Sequence, residues 1–142
     1  AQQPCPEPDY GTKKLSYYTF KFMIEKLRGV DFGSIESIDT AIPNVYLYKL
    51  KRESGPLYVA WWDYFQGDGI QKPVTLSLPD IKAPNAQVTL ALPEFDGVFQ
   101  ARANHLNETD YPHFFPTRTL SVINGRIALT LDDAPVFVEE KR

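Results

Sequence analysis

The sequence predicts a mainly β protein, an antiparallel β-sandwich of about seven to eight strands with one N-terminal amphipathic α-helix. Two β-rich runs, residues 45–51 and 57–64, flank a turn at residues 52–56, and apolar and aromatic residues alternate along the first run with a period of two. Further short alternating runs follow, separated by Pro, Gly and Asn turn signals. Trp61 and Trp62 are neighbours in the second run, so one can lie in a core while the other faces outwards.

Length and charge narrow the classes of protein that fit. The 142 residues suit one domain with a buried core, which we divide into an irregular lead-in (1–12) and a single domain (13–142) with a helix at 14–28 and a β-sandwich at 44–140. The net charge of -3 and the lack of a basic stripe argue against a nucleic-acid partner. No apolar run has the length of a membrane-spanning helix, so we expect no membrane partner.

Cysteine usage and the first residues bear on compartment and redox chemistry. The single cysteine, Cys5, excludes an internal disulfide and an all-Cys zinc site. An opening Ala1-Gln2-Gln3 fits either a mature form after signal removal or a fragment. The sequence leaves the localisation open, with a secreted or extracytoplasmic protein as the favoured alternative. In such a protein Asn107, in an Asn-Glu-Thr triplet, would be a candidate glycosylation site.

The N-terminal helix carries more aromatic residues than a solvated helix needs. Its apolar residues recur with helical spacing, Lys26 and Arg28 suit its C-terminal end, and Gly29 is a stop signal. Such a face must pack against the sheet or against another subunit, and we expect a helix-mediated dimer. The candidate interface residues are Tyr18, Phe20, Phe22, Met23 and Leu27.

The remaining elements follow from alternation and from turn residues. We expect a connector at residues 30–43, because Asp31, Gly33 and Asp39 are turn formers. Asn124-Gly125 is the strongest hairpin signal in the chain. Strands are predicted at residues 74–78, 88–92, 98–103, 119–123, 126–131 and 135–139.

Several of these stretches, taken in order, resemble the C-terminal part of a (β/α)8-barrel glycoside hydrolase. Residues 9–21 are similar to the loop after the last barrel strand and the "(S/A)YYTFK" start of the last barrel helix, and residues 26–29 match its "KL-x-G" end. In several such families a small β-sandwich follows, which opens with a pair like VYLYKLKR and PLYVAWWD. It ends like residues 124–131 and 135–139 here, and the resemblance covers residues 9–140.

The resemblance implies the accessory domain without the catalytic barrel. The glycosidase carboxylates lie at the ends of barrel strands upstream of this helix, so no catalytic residue can be carried over to this chain. Our first hypothesis is therefore a non-catalytic accessory domain with a structural or interaction role, whose partner would be a glycosidase barrel or a second copy of the chain. On its own such a domain is not expected to be an enzyme, although a small enzyme of another type stays open.

The alternative is a carbohydrate-binding module that stacks exposed aromatic rings on an oligosaccharide. Its candidate residues are Trp61, Trp62, Tyr64, Phe65, Tyr111 and Phe114, for which the competing interpretation is packing in the core. The carboxylates are best explained as solvated turns, and two histidines, His105 and His113, are too few for a zinc site without other ligands. We therefore expect no metal site and no cofactor.

Overall fold

The structure is a computed structural model that describes residues 15–63, 73–94 and 109–142. Within these residues the protein is mainly β, as predicted, with one α-helix, α1 (Leu15–Lys26), and eight strands. A short 3-10 helix, Tyr111–Phe114, precedes the sixth strand. The strands are β1 (Val30–Ser37), β2 (Val45–Arg52), β3 (Leu57–Trp62), β4 (Val74–Leu78), β5 (Asn85–Leu90), β6 (Thr117–Ser121), β7 (Ile127–Leu131) and β8 (Val136–Lys141).

The strands form two antiparallel sheets. The larger sheet has the order β1-β2-β3-β8-β5-β6, and the smaller one consists of β4 and β7. The hairpin predicted from alternation is confirmed, since β2 and β3 pair without interruption from Val45↔Trp62 to Leu50↔Leu57.

One face of the large sheet packs on the small sheet around an aliphatic core. Strand alternation explains the composition of this core, because every second residue of β2, β4 and β7 points into it. Its members include Val45, Leu47, Leu76, Leu78, Ile127, Leu129 and Leu131.

The opposite face of the large sheet packs on α1. Tyr18 and Phe22 of the helix are buried there, against Leu57 and Phe137 of the sheet. The ring of Phe22 stacks on Phe115 with centroids 4.0 Å apart and planes 9° apart. The described residues therefore form three layers, in the order helix, large sheet and small sheet.

The prediction of a connector at residues 30–43 is wrong for its first half. Residues Val30–Ser37 form the edge strand β1, which pairs with β2 on both sides of a bulge. Between Asp31↔Lys51 and Glu36↔Lys49, four residues of β1 lie opposite one residue of β2. The bulge breaks the period of two that would have marked the strand, and the Asp31 carboxylate accepts a hydrogen bond from the N–H of Gly33 within it.

The two glycine signals are confirmed as turns, but one of them links different partners from those expected. Gly29 ends α1 with φ 77°, as the sequence predicts. Asn124 and Gly125 both have positive φ and join Ile123 to Arg126, yet the strands on either side do not form a ladder with each other. Instead β6 pairs with β5 in the large sheet and β7 pairs with β4 in the small one.

The other boundaries shift by a few residues. Strand β5 begins at Asn85 rather than Val88, and β6 begins at Thr117 rather than Thr119. The predicted strand at 98–103 lies outside the described residues. In the described part of the chain, no helix has the length and apolar character needed to cross a bilayer.

Candidate functional site

An open apolar groove lies between α1 and the large sheet, and we call it the α1 groove. Its volume is about 940 Å³. Residues of α1, β3 and β8 line it, together with residues just after β5. Its lining includes Phe20, Met23, Val59, Trp61, Leu92 and Phe137.

The rotation of α1 decides which of its apolar residues line the groove. Tyr18 is 4 % exposed and Phe22 is 7 % exposed, because both point into the sheet. Phe20 is 61 % exposed and Met23 is 38 % exposed. Given the 3.6-residue period of the helix, Phe20 and Met23 lie on a different side from Tyr18 and Phe22. The predicted interface residues therefore separate into two groups. Tyr18, Phe22 and the half-buried Leu27 pack within this chain, whereas Phe20 and Met23 remain accessible.

A cluster of charged side chains, the Arg52 clasp, holds the C-terminal end of α1. The guanidinium of Arg52 donates to the carbonyl of Lys26 at 2.9 Å, to the carbonyl of Gly55 at 3.0 Å and to Oε2 of Glu139 at 2.9 Å. Nζ of Lys26 donates to Oε1 of Glu139. The clasp thus joins the helix, the β2–β3 turn and β8 through four residues.

The clasp favours the ionised form of Glu139. Burial alone would raise the pKa of its carboxyl, but the hydrogen bonds and positive charges of Lys26 and Arg52 outweigh burial and hold the pKa below its ordinary value. Sequence reasoning missed this cluster, since Arg52 was read as a turn residue and Glu139 as one of several solvated carboxylates. A signal was present, because Glu139 lies two positions from Phe137 and therefore faces the helix side of the sheet.

The other flank of α1 is covered by the 3-10 helix. The Tyr111 hydroxyl donates to Oε2 of Glu25, and the Lys21 ammonium lies 5.8 Å from the centre of the Tyr111 ring. Tyr111 is 1 % exposed and Phe114 is half-buried against the same aromatic core. Tyr111 is thus buried within this chain, on the side of the aromatic core.

The tryptophans point to opposite faces, as alternation requires. Trp62 packs against the aliphatic core between the sheets. Trp61 lies on the helix side, where its ring stacks on Tyr46 at 5.3 Å and on Tyr48 at 5.5 Å between centroids. The Trp61 ring therefore contacts neighbouring rings and also lines the groove. The candidates Tyr64, Phe65 and Asn107 lie outside the described residues.

In the described ranges the His, Cys, Asp and Glu side chains do not assemble into a metal centre. No group of three or more His, Cys, Asp or Glu side chains there could hold a metal ion. Glu94, Asp132 and Asp133 line a second pocket of about 430 Å³ together with Arg118. His113 is exposed, and His105 lies outside the described residues.

Comparison with known proteins gives matches among solved structures. No family model matches the chain, and no curated protein matches it. The structure of a 4-O-alpha-L-rhamnosyl-beta-D-glucuronidase from Fusarium oxysporum 12S superposes with a TM-score of 0.53 at 12% identity, covering 84% of this chain and 28% of that one. A GH30 endoxylanase from Clostridium papyrosolvens C71 gives a TM-score of 0.49 at 12% identity, covering 87% of this chain and 28% of that one.

The chain corresponds to only a part of each of these glycosidases. The chain spans less than a third of the length of the glycosidases that it matches. The likeness to barrel glycosidases predicted from the sequence is confirmed at the level of fold, and this chain has the fold of a part of a glycoside hydrolase.

Proposed function

We propose that the chain is a non-catalytic β-sandwich accessory domain of a glycoside hydrolase, and that it packs against a (β/α)8 catalytic barrel through the α1 groove. The observation that carries the proposal is the two-sided helix. One side of α1 is buried in this domain through Tyr18 and Phe22, while the other presents Phe20, Met23 and Ile24 to solvent. Exposed large apolar side chains gathered on one helix face are typical of an interaction surface.

The energetics favour a protein partner for this surface. Fully burying one large apolar side chain contributes about 1.5–3 kcal/mol, so covering Phe20, Met23 and Ile24 would offset a substantial part of the entropy that association loses. The groove beside them lets a partner's side chains interdigitate instead of meeting a flat surface.

A non-catalytic role is supported by the chemistry of the groove. Glycoside hydrolysis needs two carboxyl groups on either side of the scissile bond, about 5–10 Å apart. Among the described residues, those that line the α1 groove include no Asp or Glu. We therefore expect the isolated chain to hydrolyse aryl β-glycosides no faster than a buffer blank, and turnover above that blank would contradict the proposal.

Carbohydrate binding through aromatic rings competes for the same surface. Trp61 is the described tryptophan on the helix side, and its stacking on Tyr46 and Tyr48 leaves less ring face for a sugar. We therefore favour protein packing over sugar stacking. Trp fluorescence, titrated with xylan- and glucuronan-derived oligosaccharides, should show no saturable shift, and a shift abolished by Trp61→Ala would favour the binding module.

The docking proposal can be tested by site-specific photo-crosslinking in the source cells. A benzophenone amino acid replaces Phe20, which lines the groove, and in a matched control it replaces Phe32, which is 62 % exposed on the β1 bulge. We expect irradiation to join position 20, and not position 32, to peptides of a (β/α)8 glycosidase barrel. The barrel can belong to the same polypeptide or to another one, because mass spectrometry identifies the crosslinked peptide in either case.

Two results would overturn the docking proposal. Crosslinks from position 20 to α1 of a second copy would identify the surface as the helix-mediated dimer interface expected from the sequence. Crosslinks that are equally frequent from positions 20 and 32 would show that the groove has no preferred partner.

A further inference from the structure

Apolar packing alone does not specify the rotation of α1. The buried side carries Tyr18 and Phe22, but the exposed side carries Phe20, Met23 and Ile24 and is at least as apolar. When a helix is apolar on both sides, its apolar pattern does not say which side faces the sheet. Two polar contacts can select the observed orientation, namely the Tyr111–Glu25 hydrogen bond on one flank of the helix and the Arg52 clasp at its C-terminal end.

We infer that Arg52 is the residue that positions α1, and that its hydrogen-bonded fork selects the rotation in which Phe20 and Met23 border the groove. The inference deepens the proposed function, on which it rests for the role of the groove. Buried hydrogen bonds and ion pairs can select one helix rotation, because they require a specific geometry. Apolar contacts can form in many relative orientations.

The geometry of the fork meets the requirements of such a positioning residue. Three different nitrogens of Arg52 reach three acceptors on three separate segments, namely Lys26, Gly55 and Glu139. The Arg52 side chain is 7 % exposed, so water competes little for these bonds. If α1 turned to bury Phe20, the Lys26 side chain would leave Glu139, and two charged partners would lose part of their compensation.

The helix terminus adds a second reason for a cation at this position. The last carbonyls of a helix lack partners within it, and the helix dipole places partial negative charge there. The bond from Arg52 to the carbonyl of Lys26 supplies both a donor and a positive charge at the end of α1. A lysine could supply the charge, but its single ammonium group cannot reproduce a planar fork that serves three acceptors.

Hydrogen exchange of the isolated 142-residue chain tests the inference without any partner. We expect Arg52→Met to speed amide exchange in α1 by about tenfold or more, while the amides of β5 and β8 keep their protection, because only the docking of the helix is released. Arg52→Lys should behave like Arg52→Met. Lys51→Met, which removes an exposed charge from the neighbouring position of β2, should behave like wild type.

Aromatic NOEs report the rotation itself. In the wild-type chain, cross-peaks should join Phe22 to Phe115, whose ring centroids lie 4.0 Å apart. In Arg52→Met these cross-peaks should weaken severalfold or be replaced by cross-peaks from Phe20. Loss of α1 protection together with weaker Phe22–Phe115 cross-peaks would support a positioning role.

Three results would overturn the inference. They are α1 exchange in Arg52→Met within twofold of wild type, equal loss of protection in α1 and in the sheet, and wild-type behaviour of Arg52→Lys. The first shows that the fork does not hold the helix, the second that Arg52 supports the whole fold, and the third that charge alone is sufficient. Each result is independent of the crosslinking experiment, so failure of barrel docking leaves this test unaffected.

Discussion

The two faces of the large sheet are covered in different ways. The face under β4 and β7 is closed by aliphatic side chains such as Leu76 and Leu129, which strand alternation aims into a shared core. The face under α1 is covered by aromatic rings and by a cluster of charges. Beside Trp61 the described residues leave it uncovered, and the groove lies open there.

The difference separates two tasks of the molecule. The aliphatic face holds the fold together, because its side chains are buried by the two sheets alone. The aromatic face is only partly covered by a 12-residue helix, and the clasp fixes that helix so that its second apolar side stays available. In the docking that we propose, a helix already fixed in this way would save part of the ordering entropy of association.

The largest expected effect comes from truncating the buried side of α1. Phe22→Ala should lower the free energy of unfolding by about 3–5 kcal/mol, because it removes the ring that stacks on Phe115 and leaves a cavity. Phe20→Ala, on the exposed side, should change it by about 0.5 kcal/mol or less. Urea unfolding followed by circular dichroism compares the two variants, and equal losses would show that α1 does not distinguish its two sides.

An intermediate effect is expected from acid. Because the pKa of Glu139 is lower in the folded protein than its ordinary value of about 4.5, the clasp contributes fully above that ordinary value. Its contribution is lost as the pH falls through the lowered folded-state pKa. We therefore expect the exchange protection of α1 to fall in acid before that of the sheets.

Two glutamine variants provide the control for the acid experiment. Glu139→Gln should weaken α1 protection at neutral pH and flatten its dependence on pH. Glu140→Gln removes the same charge one residue further along β8, on a side chain that accepts from the Lys82 N–H, and should retain the dependence. A pH dependence that survives in Glu139→Gln would assign it to another group.

The smallest effect concerns the aliphatic face. The Tyr58 hydroxyl is buried there and has no hydrogen-bond partner among the described residues. Burial, reinforced by the negative charges of Glu140, Asp80 and Glu36, raises the pKa of Tyr58 to about 12. Tyr58→Phe keeps the ring and removes the unpaired group, so we expect unfolding free energy at pH 7 to stay constant or to rise by about 1 kcal/mol.

Alkaline titration sharpens the same comparison. An unfolded tyrosine ionises near its ordinary pKa of about 10, whereas folded Tyr58 resists ionisation, so wild-type stability should fall between about pH 10 and pH 12. Tyr58→Phe should lose less stability over this range. If the stability of Tyr58→Phe fell as steeply with pH as that of wild type, the hydroxyl would be solvated in the folded protein.

The sequence predicted those features that depend on neighbouring residues. Alternation along residues 45–51 identified β2, and Gly29 marked the end of α1, because each signal is local. Strand β1 was missed because its bulge hides the alternation. The Asn124-Gly125 turn was found, but the separation of its two strands into different sheets depends on partners far away in the chain.

The candidate site was only partly predictable for the same reason. Helical spacing identified the apolar residues of α1, but two apolar sides left open which of them faces the sheet. The clasp decides this, and its members Lys26, Arg52 and Glu139 are distant in the sequence. An aromatic residue near a turn, such as Tyr111, fits both a sugar-binding site and a core position, and in the structure Tyr111 lies in the core.

Hydroxyl-radical footprinting tests the central claim, that α1 docks one side on the sheet and offers the other to a partner. It compares the isolated chain with the protein as its source produces it, and Met23, the single methionine of the sequence, is a sensitive reporter in the groove. We predict that oxidation of Met23 and Phe20 falls severalfold in the native protein, while that of Phe32 is unchanged. Equal oxidation of Met23 in the two samples would contradict the account, since the groove would then be uncovered in the protein's natural context.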